Sequence, residues 1–268
     1  MTHDSPDSDN HSRTNWSDYK KFTNARIGLQ RSGGSIGTQD LLRFRYDHAM
    51  AKDAIWSECD WSQIETALIE WNPILTLSSL TKSREEYLLR PDFGRKLNED
   101  SIAQLEIWKK SNSSSSYDVL FCVVDGLSPN AISKNIVGFL STIRTELLDT
   151  FPSIAPLVLI KNGRVAIGDT VAEILNSRIV VVLVGERPGL SSSDSIGAYI
   201  TYNAKTGTTD ESRNCISNIR PDGLSFERAK EKLIYLLKEA SSKKLTGVNL
   251  KDRMVDAIEG QSTPILES

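Results

Sequence analysis

The sequence predicts an α/β protein in which a mostly helical N-terminal region precedes a Rossmann-like domain with a parallel sheet. Three short apolar runs alternate with helical patterns in the second half of the chain, as strand–helix–strand units do. In the first half, apolar residues recur at helical spacing instead. A run of serines separates the two patterns and predicts a boundary between two regions of different architecture.

The N-terminal region covers residues 16–110. Trp16, Tyr19 and Phe22 recur at helical spacing, which indicates a short docking helix. Thr38 can cap a much longer helix, and Ser83 opens a capping-box pattern. The predicted helices cover residues 16–22, 38–56, 60–71, 83–90 and 101–109.

Three segments are predicted to lack fixed structure. Residues 1–15 are almost devoid of apolar side chains, so they cannot bury enough surface to offset the entropy lost on ordering. We therefore predict a disordered tail there. Residues 111–116 are a polar, serine-rich linker, and residues 253–268 are a flexible C-terminal tail.

The Rossmann-like domain covers residues 117–252. Apolar runs at positions 119–124, 157–160 and 179–184 are typical of strands that are buried on both faces. Short connections between alternating strands and helices favour a right-handed, parallel arrangement. A further strand is predicted at residues 198–202, and helices are predicted at residues 130–148, 171–175 and 225–244.

The overall composition excludes several classes of function. With a net charge of −3 and no basic cluster, the sequence lacks the positively charged surface that nucleic-acid-binding proteins need. No apolar run approaches the ~18–20 residues of a membrane span, and the polar N-terminus is not a secretory signal. The three cysteines, Cys59, Cys122 and Cys215, lie far apart and predict free thiols in a reducing cytoplasm.

Three successive predicted strands end in polar turns that contain glycine. These turns are residues 125–126, 162–165 and 185–187. Because the carboxyl ends of parallel strands share one edge of a sheet, a ligand would lie across these turns. The alternative is that loops between strands and helices simply need glycine.

The common ligand motifs are absent near this edge. No G-x-G-x-x-G follows the first strand, and the glycines at 185 and 189 lack the Gly-Lys-Ser/Thr of a P-loop. No residues have metal-ligand spacing, so we predict no metal site. His48 lies among charged residues, where a helix-surface or interface role is the simpler interpretation, and nothing supports a nucleophilic pair with Cys215.

Two cysteines are interpreted differently. Cys122 lies inside an apolar run and is predicted to pack in the core. Cys215 lies in a polar segment, residues 213–221, that we interpret as irregular. A buried loop cysteine is the favoured interpretation there, and a closely packed ligand site is the alternative.

At these residues the chain resembles a known family. Residues 184–192 (VGERPGLSS) and residues 213–220 (RNCISNIR) resemble the light chain, or small subunit, of ethanolamine ammonia-lyase. The resemblance extends in order over about residues 20–252. Further matching motifs are ARIGL at 25–29, LLRFRYDHA at 41–49, YLLRPDFG at 87–94, DGLS at 125–128 and GRVAIGD at 163–169.

The resemblance implies a required subunit of an adenosylcobalamin-dependent lyase, which converts ethanolamine and similar small vicinal amino alcohols to acetaldehyde and ammonia by radical chemistry. In that family a heavy (large) chain holds the substrate, and the light chain covers the cobalamin between the two chains. By position, the cofactor contacts fall on Val165, Glu186 and Cys215. The resemblance implies no catalytic residue in this chain, and the absence of a D-x-H-x-x-G motif implies a base-on cofactor.

The resemblance also implies a hetero-oligomer in the bacterial cytoplasm. Some members carry an amphipathic extension linked to encapsulation in a microcompartment, whereas the tail before Trp16 is short and polar. Two alternatives from other classes stay open. One is a stand-alone Rossmann-type enzyme that acts on a nucleotide-containing substrate, and the other is a non-enzymatic cobalamin-binding or scaffold protein.

Overall fold

The computed structural model describes residues 16–23, 25–29, 31–112 and 116–251. The chain divides into two compact units at the bond between Met50 and Ala51. The predicted tails and the middle of the predicted linker lie outside the described residues, so their disorder stays a prediction.

The first unit contains three short elements and the start of a long helix. Helix α1 is Trp16–Tyr19, and strands β1 (Arg31–Ser32) and β2 (Ser35–Ile36) form an antiparallel pair. The predicted docking helix is therefore shorter than expected and ends before Phe22. Helix α2, Thr38–Trp56, confirms the long predicted helix and continues into the second unit.

His48 lies on the surface of α2, as the charged residues around it predict. Its side chain is exposed, and its ring stacks on Phe44 with 6.2 Å between the ring centroids. Nearby, Arg26 donates to the Asp47 carboxylate at 2.8 Å and lies over the Phe44 ring. These contacts are structural interactions of a helix surface.

The second unit contains the sheet and the remaining helices. Every helix and apolar strand predicted within residues 117–252 is confirmed, with end points that differ by a few residues. In chain order the elements are α3 (Trp61–Ala67), β3 (Ile74–Ser78), α4 (Arg84–Leu89), α5 (Glu99–Ser111), β4 (Tyr117–Val124), α6 (Pro129–Thr150), β5 (Leu157–Lys161), α7 (Ile167–Leu175), β6 (Ser177–Gly185), β7 (Ile196–Tyr202), β8 (Arg213–Ile219) and α8 (Phe226–Lys243).

The six strands form one sheet with the order β3-β5-β4-β6-β7-β8. The first four strands are parallel, and β7 and β8 extend the sheet in antiparallel fashion. The central strands are buried on both faces, which explains their unbroken apolar sequence. The α/β class with a helical region before a mostly parallel sheet is confirmed.

Two strands of the six-stranded sheet were not predicted. Strand β3 lies in the mostly helical region, where its five residues give too short a signal to stand out, and it joins the sheet by parallel pairing with β5. The segment interpreted as irregular around Cys215 is strand β8. Its polar side chains belong to a sheet edge, so the irregular interpretation was wrong.

Helices cover the two faces of the sheet unequally. On one face α3, α6 and α8 pack against the strands, and on the other face α5 and α7 do so. Cys122 is fully buried in the second of these cores, as predicted. Helix α7 packs on β4 and β6, whereas on the same face Cys215 and Ser217 of β8 are exposed. Within the described residues, no helix combines the length and apolar character of a membrane span.

A buried ion pair joins α7 to β8. Arg213 donates to both carboxylate oxygens of Asp169 at 2.7 Å, and both side chains are 1% exposed. Its other donors bond to Thr201 Oγ1, the Thr208 carbonyl and Asp210, so all five N–H groups have acceptors. This pair fixes the edge strand against the helix that precedes β6.

Asp169→Asn is expected to lower the free energy of unfolding by about 3–5 kcal/mol, because it leaves the buried Arg213 charge without its carboxylate partner. The exposed pair of Arg90 with Asp92 provides the control. Arg90→Ala should lower the free energy of unfolding far less, since solvent screens that pair. Urea denaturation of the three proteins measures both effects, and equal losses would show that the buried pair contributes no more than a surface one.

Candidate functional site

The three glycine-containing turns meet at one pocket on the carboxyl edge of the parallel strands. The pocket has a volume of about 440 Å³. The expectation that these turns share an edge is therefore confirmed. Its walls are formed by Tyr87, Gly126, Leu127, Arg164, Val165, Val184, Gly185, Glu186, Arg187, Tyr199 and Ser217.

Asp125 ties the end of β4 to the end of β5. Its carboxylate accepts hydrogen bonds from the backbone N–H of Asn162 at 2.9 Å and of Gly163 at 3.3 Å. Burial raises the pKa of Asp125 to about 6, although these N–H groups and the charge of Arg84 act in the opposite direction. Asp125 is thus a positioning residue that holds the turn carrying Val165.

Two glycines bring the ends of β4 and β6 together. Gly126 has a positive φ of 58°, and a Cβ there would lie 2.3 Å from the Gly185 carbonyl oxygen. A Cβ on Gly185 would lie 2.2 Å from the Ser128 carbonyl oxygen. The N–H of Leu127 donates to the Gly185 carbonyl at 2.9 Å. Glycine is therefore required here by close approach of backbones, beyond the needs of an ordinary turn.

Glu186 lies in the pocket wall, and most of its hydrogen-bonding capacity is used within the chain. Its Oε2 accepts from Ser195 Oγ at 2.6 Å and from the Asn218 N–H at 3.1 Å, and Ser217 Oγ donates to Oε1. A carboxylate has about four acceptor positions, so about one remains for a ligand. Glu186 joins the end of β6 to both antiparallel strands.

Val165 lines this pocket, whereas Cys215 lies beside it and is not among the lining residues. Val165 lines it directly from the turn after β5 and is partly buried. Cys215 lies on β8 opposite the pocket residue Tyr199, and it is exposed. The prediction of a buried loop cysteine was therefore wrong, because the segment is an edge strand with no helix over this face.

The Cys215 thiol is not activated. Removal from water by its neighbours raises the pKa of Cys215, and the Glu186 charge acts in the same direction. Burial likewise raises the pKa of the adjacent Tyr199. Both groups are protonated at neutral pH, the form suited to compact, uncharged contact.

Sequence reasoning missed the aromatic and cationic part of the pocket. Tyr87 comes from α4, far from the sheet domain in sequence, and it is fully buried. Arg164 and Arg187 lie in turns that were noticed for their glycines. Tyr199 and Ser217 enter the wall only because β7 and β8 pair beside β6. No local pattern signals any of these contacts.

The acidic and thiol groups of this unit do not form a metal centre. Across the residues that the structure describes, no three or more His, Cys, Asp or Glu side chains cluster in a way that could hold a metal ion. The three cysteines are free thiols.

Comparison with known proteins identifies the family. The family model for the ethanolamine ammonia-lyase light chain matches residues 13–251. The chain belongs to this family. It is 42% identical over 255 residues to the ethanolamine ammonia-lyase small subunit of Pseudomonas fluorescens strain Pf0-1, covering 94% of this chain and 93% of the relative. It is 42% identical over 265 residues to the small subunit of Pseudomonas putida strain GB-1, covering 98% and 96%, respectively.

Membership of the light-chain family confirms the resemblance seen in the motifs. Several of these motifs now have a structural explanation. The aspartate at 125 and the glycines at 126 and 185 build the sheet edge, while Asp169 and Arg213 form the buried ion pair. The light-chain motifs therefore include residues that support the pocket structurally as well as residues that line it.

Asp125→Asn is expected to change how stability depends on pH. The native carboxyl keeps its proton up to about pH 6, whereas the unfolded chain loses it near pH ~3.9. Because the folded pKa is raised, the stabilising contribution is fully present below pH ~4 and is lost as the pH rises through about 6. Relative to Asp125→Asn, the wild-type protein should lose about 2–3 kcal/mol between pH 4 and 7.

Urea denaturation across that pH range measures the difference, since all other titrating groups are common to both proteins. A constant difference between wild type and Asp125→Asn would show that folding does not raise the pKa of Asp125.

Proposed function

We propose that this chain is the light (small) subunit of an adenosylcobalamin-dependent ethanolamine ammonia-lyase. It helps to bind the cofactor and encloses it against a heavy (large) chain. The complex deaminates ethanolamine, and similar small vicinal amino alcohols, to acetaldehyde and ammonia. The observation that carries the proposal is a single pocket at the sheet edge that contains Val165 and Glu186 and adjoins Cys215.

The size of the pocket supports a shared site. A volume of about 440 Å³ lies near the lower end of the range for pockets that bury drug-sized ligands. A corrinoid is larger than such ligands, so this chain can hold only part of one. A second chain must cover the remainder, as a small subunit paired with a large one would.

The chemistry of the pocket also suits a corrinoid. Val165, Val184 and Leu127 offer apolar contact to the face of the ring. Glu186 can accept from a carboxamide N–H through its remaining acceptor position. The uncharged thiol of Cys215 adds compact contact at the edge of the pocket. The residues therefore fit a ligand that is apolar in the middle and polar around its fringe.

This chain's own residues bind, orient and exclude water. When bound, adenosylcobalamin supplies the radical chemistry that the deamination requires. A light chain clamped over it keeps solvent and oxidants from the reacting groups. We assign no acid, base or nucleophile to this chain, and the substrate site belongs to the heavy chain. Because the sequence contains no D-x-H-x-x-G motif, no histidine of this chain would replace the cofactor's own base.

The complex is proposed to work in the bacterial cytoplasm. Encapsulation in a microcompartment is a narrower proposal that depends on the N-terminal tail. Removing residues 1–15 and following the location of the complex in cells tests it directly.

Adenosylcobalamin is expected to bind tightly only when both chains are present, because each contributes part of the enclosure. Equilibrium dialysis of this chain, its heavy chain and their mixture measures this. A tight, active holoenzyme formed by this chain alone would contradict the subunit assignment. Binding of NAD or ATP by the isolated chain, without any response to cobalamin, would favour a stand-alone Rossmann-type enzyme instead.

Glu186→Ala should weaken adenosylcobalamin binding to the two-chain complex by about 1–3 kcal/mol. It removes both an acceptor and the carboxylate that holds Ser195 and Ser217 in place. Val165→Asp should weaken binding more strongly, since it places a charge against an apolar ring.

Glu65→Ala is the matched control for Glu186→Ala, because Glu65 is an exposed carboxylate on α3 outside the pocket. The complex that contains Glu65→Ala should bind adenosylcobalamin with wild-type affinity. Spectroscopic titration of each reconstituted complex provides the dissociation constants. If both pocket variants bound adenosylcobalamin with wild-type affinity, the cofactor could not lie at this edge of the sheet.

A further inference from the structure

Arg164 is held rigidly in the pocket wall. Its backbone N–H donates to the Gly94 carbonyl at 2.7 Å. Its guanidinium carbon lies 4.4 Å from the centroid of the Tyr87 ring, and Tyr87 donates through its hydroxyl to the Gly163 carbonyl at 3.1 Å. Since Tyr87 is fully buried, the arginine rests on a fixed aromatic surface.

The guanidinium of Arg164 lacks the partners that a protein normally provides. Within the described part of the chain it makes no hydrogen bond or ion pair, and its Nε is buried without an acceptor. Arg213 shows the contrast, because every one of its N–H groups is bonded. Since Arg164 lines the pocket and its guanidinium has no partner within the described residues, its outer N–H groups can donate to an acceptor that enters the pocket.

Two more arginines add positive charge near this wall. Arg84 lies 4.7 Å from the centroid of the same Tyr87 ring, donates to the carbonyls of Ile55 and Gly126, and leaves its Nη2 buried without an acceptor. Burial lowers the pKa of Arg84, the charge of Asp125 acts in the opposite direction, and the Arg164 charge adds a smaller lowering. Arg187 lines the pocket, is exposed, and pairs with no carboxylate in the described residues.

The nearby carboxylates direct their hydrogen bonds to groups other than these arginines. Asp125 accepts from the backbone N–H groups of Asn162 and Gly163, and Glu186 accepts from Ser195, Ser217 and Asn218. The pocket wall therefore presents cationic donors without an acceptor of their own. An anion with several oxygen atoms would satisfy them, because a guanidinium matches such groups with a planar fork of donors.

We infer that Arg164, assisted by Arg187, binds the phosphodiester of the nucleotide loop of the bound cofactor. The inference rests on the proposed function. The phosphodiester is the one anionic group in the organic framework of cobalamin, whose other polar arms are neutral carboxamides. Because Arg164 and the phosphodiester have opposite charges, their hydrogen bonds gain a Coulombic attraction that bonds to neutral carboxamide oxygens lack. Arg164 thus distinguishes a complete cobalamin from a corrinoid that lacks the loop.

The test compares three ligands on the reconstituted two-chain complex. Adenosylcobalamin contains both phosphate and base, adenosylcobinamide phosphate keeps a phosphate without the base, and adenosylcobinamide lacks both. Arg164→Met retains an unbranched side chain over Tyr87 but removes the charge and the donors. It should weaken binding of the two phosphate-containing ligands by roughly 10–100-fold and change adenosylcobinamide binding by less than about twofold.

Two further variants sharpen the result. Arg164→Lys keeps the charge without the fork and should show an intermediate loss for the phosphate-containing ligands. Arg90→Met is the matched control, because Arg90 also lies over an aromatic ring, that of Phe93, but outside the pocket. It should bind all three ligands as the wild type does. Gel filtration of each variant with the heavy chain verifies assembly.

Equal losses for all three ligands would overturn the inference, since they would assign Arg164 to pocket shape or to the corrin ring. Wild-type affinities in Arg164→Met would overturn it as well. Inorganic phosphate that binds in an Arg164-dependent manner without competing with adenosylcobalamin would assign the site to free phosphate. If the wild-type complex bound no corrinoid, the proposed function would fail together with this inference.

Discussion

The carboxylate of Asp125 sets the geometry of the whole sheet edge. By accepting from the backbone of Asn162 and Gly163, it ties the central strand to the turn that carries Arg164 and Val165. On the other side, the close contact of Gly126 with Gly185 brings the end of β6 to the same edge. The pocket forms because the turns that follow β4, β5 and β6 contact one another. A buried carboxyl group with a raised pKa is the cost of that arrangement.

The antiparallel strands extend this edge into a wider, partly exposed surface. Glu186 bonds to residues at the start of β7 and the end of β8, and the pair of Asp169 with Arg213 fixes β8 to α7. These contacts hold β7 and β8 in place beside the ends of the parallel strands. The Glu186 carboxylate therefore stabilises this arrangement of strands and keeps about one acceptor position unused. The arginines differ, because Arg84 and Arg164 each keep a buried side-chain donor without an acceptor in the described residues.

Sequence reasoning succeeded where a signal is local. The apolar runs of β4, β5 and β6 follow from burial on both faces, and their polar exits locate Glu186 and Val165. It failed where partners are distant. Strand β8 contains polar residues whose bonds lie on other elements, so it looked irregular and Cys215 looked buried. The stacking of Arg164 on Tyr87 joins residues 77 positions apart in the chain, and no spacing rule detects it.

The central claim is that this edge of the light chain forms one wall of the cobalamin site. An experimental structure of the two chains together with adenosylcobalamin tests it most directly. We expect the corrin ring in contact with Val165, a carboxamide N–H within hydrogen-bonding distance of Glu186, and Cys215 at the margin of the cofactor. Cobalamin held entirely by the heavy chain, or against another face of this chain, would contradict the account.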